Sequence, residues 1–317
     1  MPSDTVRREA SHAGSWYTGS GGKLSTELDY WLSKVPTTST TGSLSSHDLP
    51  ISKCRAIIGP HAGYSYSGPT AAYAYKCVDA EPIKRVFILG PSHHVYLDGC
   101  ALSQCTVYET PLGDLQLDLE VIEELRATGK FSEMTLQQDE DEHSIEMHIP
   151  YLFKIMESKT EPYTVIPILV GSINATKEAL YGKLLAPYLS DPTSLFIISS
   201  DFCHWGRRFS YTNKGPAEDK ASGMPIYEGI ESLDREGMGI IERVDPTAFT
   251  EYLKRTKNTI CGRHPIAVLL NSIVALKEAN ATKTAEIKFT HYAQSSKVTS
   301  DKDSSVSYAS AYVYLDL

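Results

Sequence analysis

The sequence predicts an α/β fold, a three-layer sandwich with a central, mostly parallel or mixed sheet flanked by helices. Apolar runs of strand length alternate with amphipathic helical patterns along the 317 residues. Several of those runs are continuously apolar (Ala56-Ile57-Ile58, Val86-Phe87-Ile88-Leu89 and Phe196-Ile197-Ile198), as suits strands covered by helices on both faces. In addition, three strand runs each stop at a polar turn carrying histidine: RAIIGPHAGY at 55–64, RVFILGPSHHV at 85–95 and LFIISSDFCHW at 195–205. Ligands of open α/β sheets bind outside the carboxyl ends of the strands, so histidines repeated there point to one shared site.

In chain order, a helical pattern at 22–34 leads into a Ser/Thr-rich, nearly uncharged stretch at 36–50, which cannot bury a face and is expected to be a flexible surface loop. His47 inside it is given no role. The strand at 54–59 and the His61 turn precede a helix at 68–78. The strand at 86–90 runs into Ser92-His93-His94, and a strand at 101–108 and a helix at 118–128 follow. Residues 143–158 are patterned as one helix, 163–170 as a strand, 177–189 as a helix and 195–199 as a strand. After a loop at 213–225 come helices at 228–242, 246–256 and 265–279, then strands at 287–292 and 306–314 around a loop at 294–305. None of the loops has the length or composition of an interdomain linker, so residues 1–317 are expected to form one domain.

A composition 41% hydrophobic and 22% charged is that of an ordinary globular chain. A net charge of −9 without any run of Lys and Arg argues against nucleic acid or an anionic membrane as partner. Apolar stretches fall short of the ~20 residues that a membrane span requires, so no membrane insertion is expected. With no apolar signal segment at the start, the expected location is the cytoplasm, the nucleus as well, with the sequons at Asn174 and Asn280 unglycosylated. The six cysteines show no C-x-x-C pair and are expected as free thiols.

Of the adjacent rings of His93 and His94, only one is expected to face the crevice. Asp201 and His204, three apart in what reads as a first helical turn, suit a carboxylate that orients an imidazole or acts beside it; the plainer reading is a helix cap with a surface histidine. Cys261 opens Cys261-Gly-Arg-His-Pro265 ahead of an apolar helix, where the helix dipole, Arg263 and His264 favour a thiolate; alone it would be an ordinary buried cysteine. In DEDEHSIEMHIPY at 139–151 the histidines stand five apart, so a zincin reading fails, although His143 and Glu146 could pair at i and i+3. There is no phosphate loop, nucleophile elbow or kinase signature. Two or three convergent histidines with a thiolate or carboxylate instead make a metal site with open positions.

The strings REASHAGSWY at 8–17, PHAGYSYSG at 60–68, FILGPSHHV at 87–95, DEDEHSIEMHIPY at 139–151, SSDFCHWG at 199–206 and ICGRHPI at 260–266, with YAQSS and SSVSYA near the end, closely resemble the Memo family, named for a mediator of receptor-driven cell motility. The extra loop at 36–50 resembles a fungal-type member. The resemblance implies a fold similar to the class III extradiol dioxygenases, which hold a non-haem iron with two histidines and a glutamate. It also implies His61, His93 and Cys261 as metal-facing residues, with Asp201 and His204 beside them; these two are the catalytic candidates, together with His143, which its own segment at 139–151 offers.

Cysteine in place of the carboxylate favours copper, zinc or a thiolate-bound iron over the iron site that leaves room for catechol and dioxygen. Three readings follow from the resemblance. The first is a metal-binding protein acting in motility or invasive-growth signalling and in redox and metal balance. The second is a working iron- or copper-dependent oxidoreductase in which His204 and Asp201 move protons. The third is a non-catalytic adaptor for a phosphotyrosine-bearing signalling partner, with Arg207, Arg208 and Arg263 supplying charge. The first is favoured, because cysteine removes the ligand that the dioxygen chemistry uses.

Overall fold

The structure, a computed structural model, describes residues 5–37, 48–219, 221 and 223–317. Most of the loop expected at 36–50, His47 included, lies outside the described residues. The strands are β1 (Arg7–Arg8), β2 (Cys54–Gly59), β3 (Arg85–Pro91), β4 (Cys100–Leu102), β5 (Val107–Tyr108), β6 (Leu115–Gln116), β7 (Phe131–Glu133), β8 (Thr164–Val170), β9 (Ser194–Ser199), β10 (His204–Trp205), β11 (Thr284–Gln294) and β12 (Ser305–Asp316). The helices are α1 (Gly21–Lys34), α2 (Tyr64–Tyr75), α3 (Leu119–Ala127), α4 (Leu136–Asp141), α5 (His143–Glu146), α6 (Ile149–Met156), α7 (Ala175–Ser190), α8 (Ile226–Glu242), α9 (Pro246–Thr256) and α10 (Arg263–Glu278).

The main sheet runs β10-β12-β2-β9-β3-β8-β4-β7, with β11 pairing β12. Its centre is parallel: Ile58 of β2 and Leu89 of β3 both register with Ile198 of β9, and β8 continues on the far side of β3. β12 and β4 join antiparallel, so the sheet is mixed, as expected. The crossover from β2 to β3 and that from β8 to β9 run in opposite directions along the sheet, and right-handed connections therefore put α2 and α7 on opposite faces. α7 packs on α10 against β9, while α2 packs against β2, β12 and α6. Covered on both sides, β2 and β9 are buried along their whole length, which is why they read as unbroken apolar runs.

Some elements differ from the sequence pattern. The run at 101–108 divides between β4 and β5 because Ser103 turns the chain, its hydroxyl donating to Asp139 at 2.6 Å while accepting from the amide of Cys105 at 3.0 Å. The helix expected at 143–158 breaks into α5 and α6, with Pro150 in the first turn of α6, where its missing N–H is tolerated. α4 was not foreseen, although Thr135 and Gln138 form the reciprocal capping box that announces it. All six cysteines are free thiols, as expected. Among the described residues, no helix is long and apolar enough to cross a membrane.

Candidate metal centre

β2, β9 and β3 are adjacent and parallel, so the turns after them, which carry His61, Asp201 and His93, emerge side by side. Cys261 joins them from the turn before α10. That turn approaches β9 so closely that a Cβ on Gly262 would lie 2.3 Å from the Ser199 carbonyl, and glycine alone fits there. Sγ of Cys261 lies 3.2 Å from Nε2 of His61 and accepts from the Asp201 amide at 3.2 Å. One donor atom each from His61, His93 and Cys261 lie within 4.8 Å of one another.

Both imidazoles are held by Nδ1. The Ser199 hydroxyl donates its one proton to the Ser144 carbonyl at 2.7 Å, so it accepts from Nδ1–H of His61 at 2.6 Å. Glu142 accepts from Nδ1–H of His93 at 2.9 Å through one oxygen and from the His93 amide at 2.7 Å through the other. In the neutral form each ring thus carries its proton on Nδ1 and leaves Nε2 free, and for His61 this atom faces the thiol. Oriented imidazoles backed by a carboxylate or hydroxyl are the arrangement in which histidine ligates a metal.

Burial, reinforced by the repulsion that a cation here would meet if the neighbouring His93 and His143 were protonated, holds the His61 imidazole well below its usual range, so it is neutral. Burial pushes Glu142 up, but the hydrogen bonds from the His93 ring and amide outweigh it and bring the carboxyl down to about 2. The thiolate expected at Cys261 is not favoured in the metal-free chain: burial and the neighbouring Asp201 push the thiol up. Cys261 lies outside the helix, since α10 begins two residues later, at Arg263, and its side chain faces the buried turn of Asp201. A neutral S–H donating to Nε2 of His61 satisfies both groups.

The His143 ring stacks on His93, centroids 4.4 Å apart, and meets His61 edge-on at 5.4 Å. The pairing of His143 with Glu146 does not form, because Glu146 turns to Arg8 (2.7 Å), His12 (2.8 Å) and Tyr17 (2.8 Å). Burial and His93 lower His143 to about 3. His94 meets His143 edge-on at 6.1 Å, so His93 is the ring of that pair that faces the cluster. His148 is fully buried against the Tyr75 hydroxyl, and the five-residue spacing places no zincin pair. His93, Glu142 and His143 also gather donor atoms, but Glu142 is already occupied by His93 and by the Ser144 amide at 2.9 Å, so His61, His93 and Cys261 fit a metal better.

Asp201 and His204 do not form the expected helical pair. Pairing of His204 with Val306 of β12 holds this stretch extended, and Nδ1 of His204 faces the carbonyls of Phe202 (2.9 Å) and Thr259 (3.1 Å). Asp201 instead accepts from the His61 amide at 2.9 Å and so fixes the His61 turn. Burial pushes its carboxyl up, against the opposing pull of His204. The three arginines do not converge: Arg208 lines a cleft of about 440 Å³ with Ala62 and Tyr66, Arg263 a chamber of about 130 Å³ with His93 and Cys261, and Arg207 neither.

Sequence reasoning missed Glu142, Ser199, His12 and Trp16. The strings SHAGSWY and PHAGYSY both reach this rim: the Tyr64 amide donates to the Trp16 carbonyl at 2.9 Å, and the Trp16 ring lies 4.4 Å from His143. Two unprotonated imidazole nitrogens and one thiol form a mixed nitrogen and sulfur set suited to zinc, copper or iron, with coordination positions to spare. His93 keeps 27% of its side chain exposed, so the cluster is open to solvent.

A family model described as Memo-like protein matches residues 8–312. The protein MEMO1 of Xenopus tropicalis is 53% identical over 309 residues, covering 98% of each chain. MEMO1 of Homo sapiens is 52% identical with the same coverage. The protein memo-1 homolog of Caenorhabditis elegans is 48% identical over 308 residues, 97% of this chain and 83% of the worm protein.

Proposed function

The chain belongs to the Memo-like family, and from that premise we propose that residues 1–317 form one metal-binding unit of dioxygenase-like fold, with His61, His93 and Cys261 as the ligands. The observation that carries this reading is the 3.2 Å approach of Cys261 Sγ to the unprotonated Nε2 of His61. Iron or copper is the proposed metal, with zinc a third candidate for the same donors; when bound it supplies Lewis-acid and, for iron or copper, redox chemistry. The proposed role is in cell-motility or invasive-growth signalling and in redox and metal balance, in the cytoplasm and nucleus. The family's name and the absence of a membrane-crossing helix among the described residues support it. Elemental analysis of protein purified without chelator, beside His61→Ala and His93→Ala, tests it: the wild type carries metal and the folded variants do not.

A second reading, an oxidoreductase, draws on His204. With Nδ1 committed to backbone carbonyls, its Nε2 is left to take or return a proton, while Asp201 holds the His61 turn. Oxygen uptake with a panel of catechols separates this from the first. A third, a phosphotyrosine-peptide adaptor, draws on Arg208 in its cleft beside Tyr66. Phosphopeptide capture that persists in the metal-ligand variants would favour it.

A further inference from the structure

We infer that Ser144 is a shared brace that sets the orientation and tautomer of both metal-facing histidines, with Glu142 and Ser199 as the positioning residues through which it acts. The Ser144 amide donates to Glu142 at 2.9 Å, and the same oxygen of Glu142 takes Nδ1–H of His93 at 2.9 Å. The Ser144 carbonyl accepts from Ser199 at 2.7 Å, and Ser199 takes Nδ1–H of His61 at 2.6 Å. The Ser144 hydroxyl donates to the Pro91 carbonyl at 2.9 Å, two residues before His93. Ser144 is fully buried, and the N–H and C=O of this one residue, which belong to successive peptide units, thus end two chains of hydrogen bonds, each closing on one ring.

The chemistry allows only one direction of donation. A carbonyl and a carboxylate accept and never donate, so both chains place the ring proton on Nδ1 and leave Nε2 as the metal donor. The fit is close: a Cβ on Gly90 would lie 2.5 Å from the Ser144 hydroxyl oxygen and 2.7 Å from Ile145, so a side chain there displaces the brace. Glu142, the last carboxylate of the acidic run 139–142, is thus not a solvated charge but the support of His93.

The inference rests on the metal-site reading for its consequence, and the test separates the two. Long-range ¹H–¹⁵N correlation spectra of the metal-free, ¹⁵N-labelled chain read each histidine tautomer, and zinc competition with a chromophoric chelator reads affinity. Wild type shows both His61 and His93 protonated at Nδ1. Ser199→Ala shifts His61 toward the Nε2–H form, leaves His93 unchanged and weakens zinc binding about 10- to 100-fold; Ser199→Thr, which keeps the hydroxyl, restores both. Gly90→Ala disturbs both rings together. A His61 tautomer unmoved by Ser199→Ala, or moved with no loss of zinc affinity, overturns the brace. Wild-type protein with the expected tautomers and no zinc uptake refutes the metal-site reading and with it the brace's effect on affinity, while the orientation of the two rings stands confirmed.

Discussion

Sγ of Cys261 stands 3.2 Å from Nε2 of His61, with the thiol protonated by its burial and the imidazole neutral by its own. A metal ion entering between them must displace the thiol proton, because the thiolate is the ligand. Titration of metal-free protein with zinc in weak buffer at pH 7 should release about one proton per ion from this thiol. Cys261→Ser should release none.

The two histidines differ in what they cost the fold. His93→Ala takes the ring donor from the buried Glu142 carboxylate, but the His93 and Ser144 amides remain and water can enter the partly open space, so it should cost about 1 kcal/mol. His61 is buried, and its loss leaves Ser199 without a donor, so His61→Ala should cost about 1–3 kcal/mol. Urea denaturation of the two metal-free variants measures this difference.

Acid should attack the N-terminal clamp. Glu146 lies buried against Arg8 and His12; burial raises its carboxyl, but His12 and Arg8 bring it down to about 2. A folded value below the ordinary 4.5 means that this stabilisation, on the order of 3 kcal/mol, is present above pH 4.5 and lost as pH falls toward 2. Glu146→Gln should flatten melting temperature across that window. Arg8→Met, which strands Glu146 and Asp139 without their cation, should cost about 3–5 kcal/mol at neutral pH.

Asp234 should behave with the opposite sign. Burial pushes its carboxyl up to about 6, although the Cys203 amide, Asn258 and Tyr292 all donate to it. Its contribution is fully present below the ordinary 3.8 and is lost as pH rises through 6. Asp234→Asn should remove that decline, seen as a smaller fall in melting temperature between pH 4 and pH 7.

What was legible in the sequence was local. The apolar runs of β2, β3 and β9 announced a covered parallel sheet, and the histidines ending them marked the crevice. What was not legible depends on contacts far apart in the chain. His204 looked like the second member of a helical pair because nothing nearby reveals its pairing with Val306. Likewise His12 reaches the rim through Glu146, 134 residues away, and Ser199 looked like the end of a strand until Ser144 gave it a direction. The thiolate expected at Cys261 failed for the same reason, since the burial that decides it comes from the turn of Asp201, 60 residues earlier.

The most direct test of the central claim is the metal content of the wild-type chain beside Cys261→Ser, both purified without chelator and measured by elemental analysis. The metal-site account predicts close to one iron, copper or zinc ion per wild-type chain and a large loss in the folded variant. A wild-type chain without these metals, or a Cys261→Ser chain that keeps them in full, would contradict it.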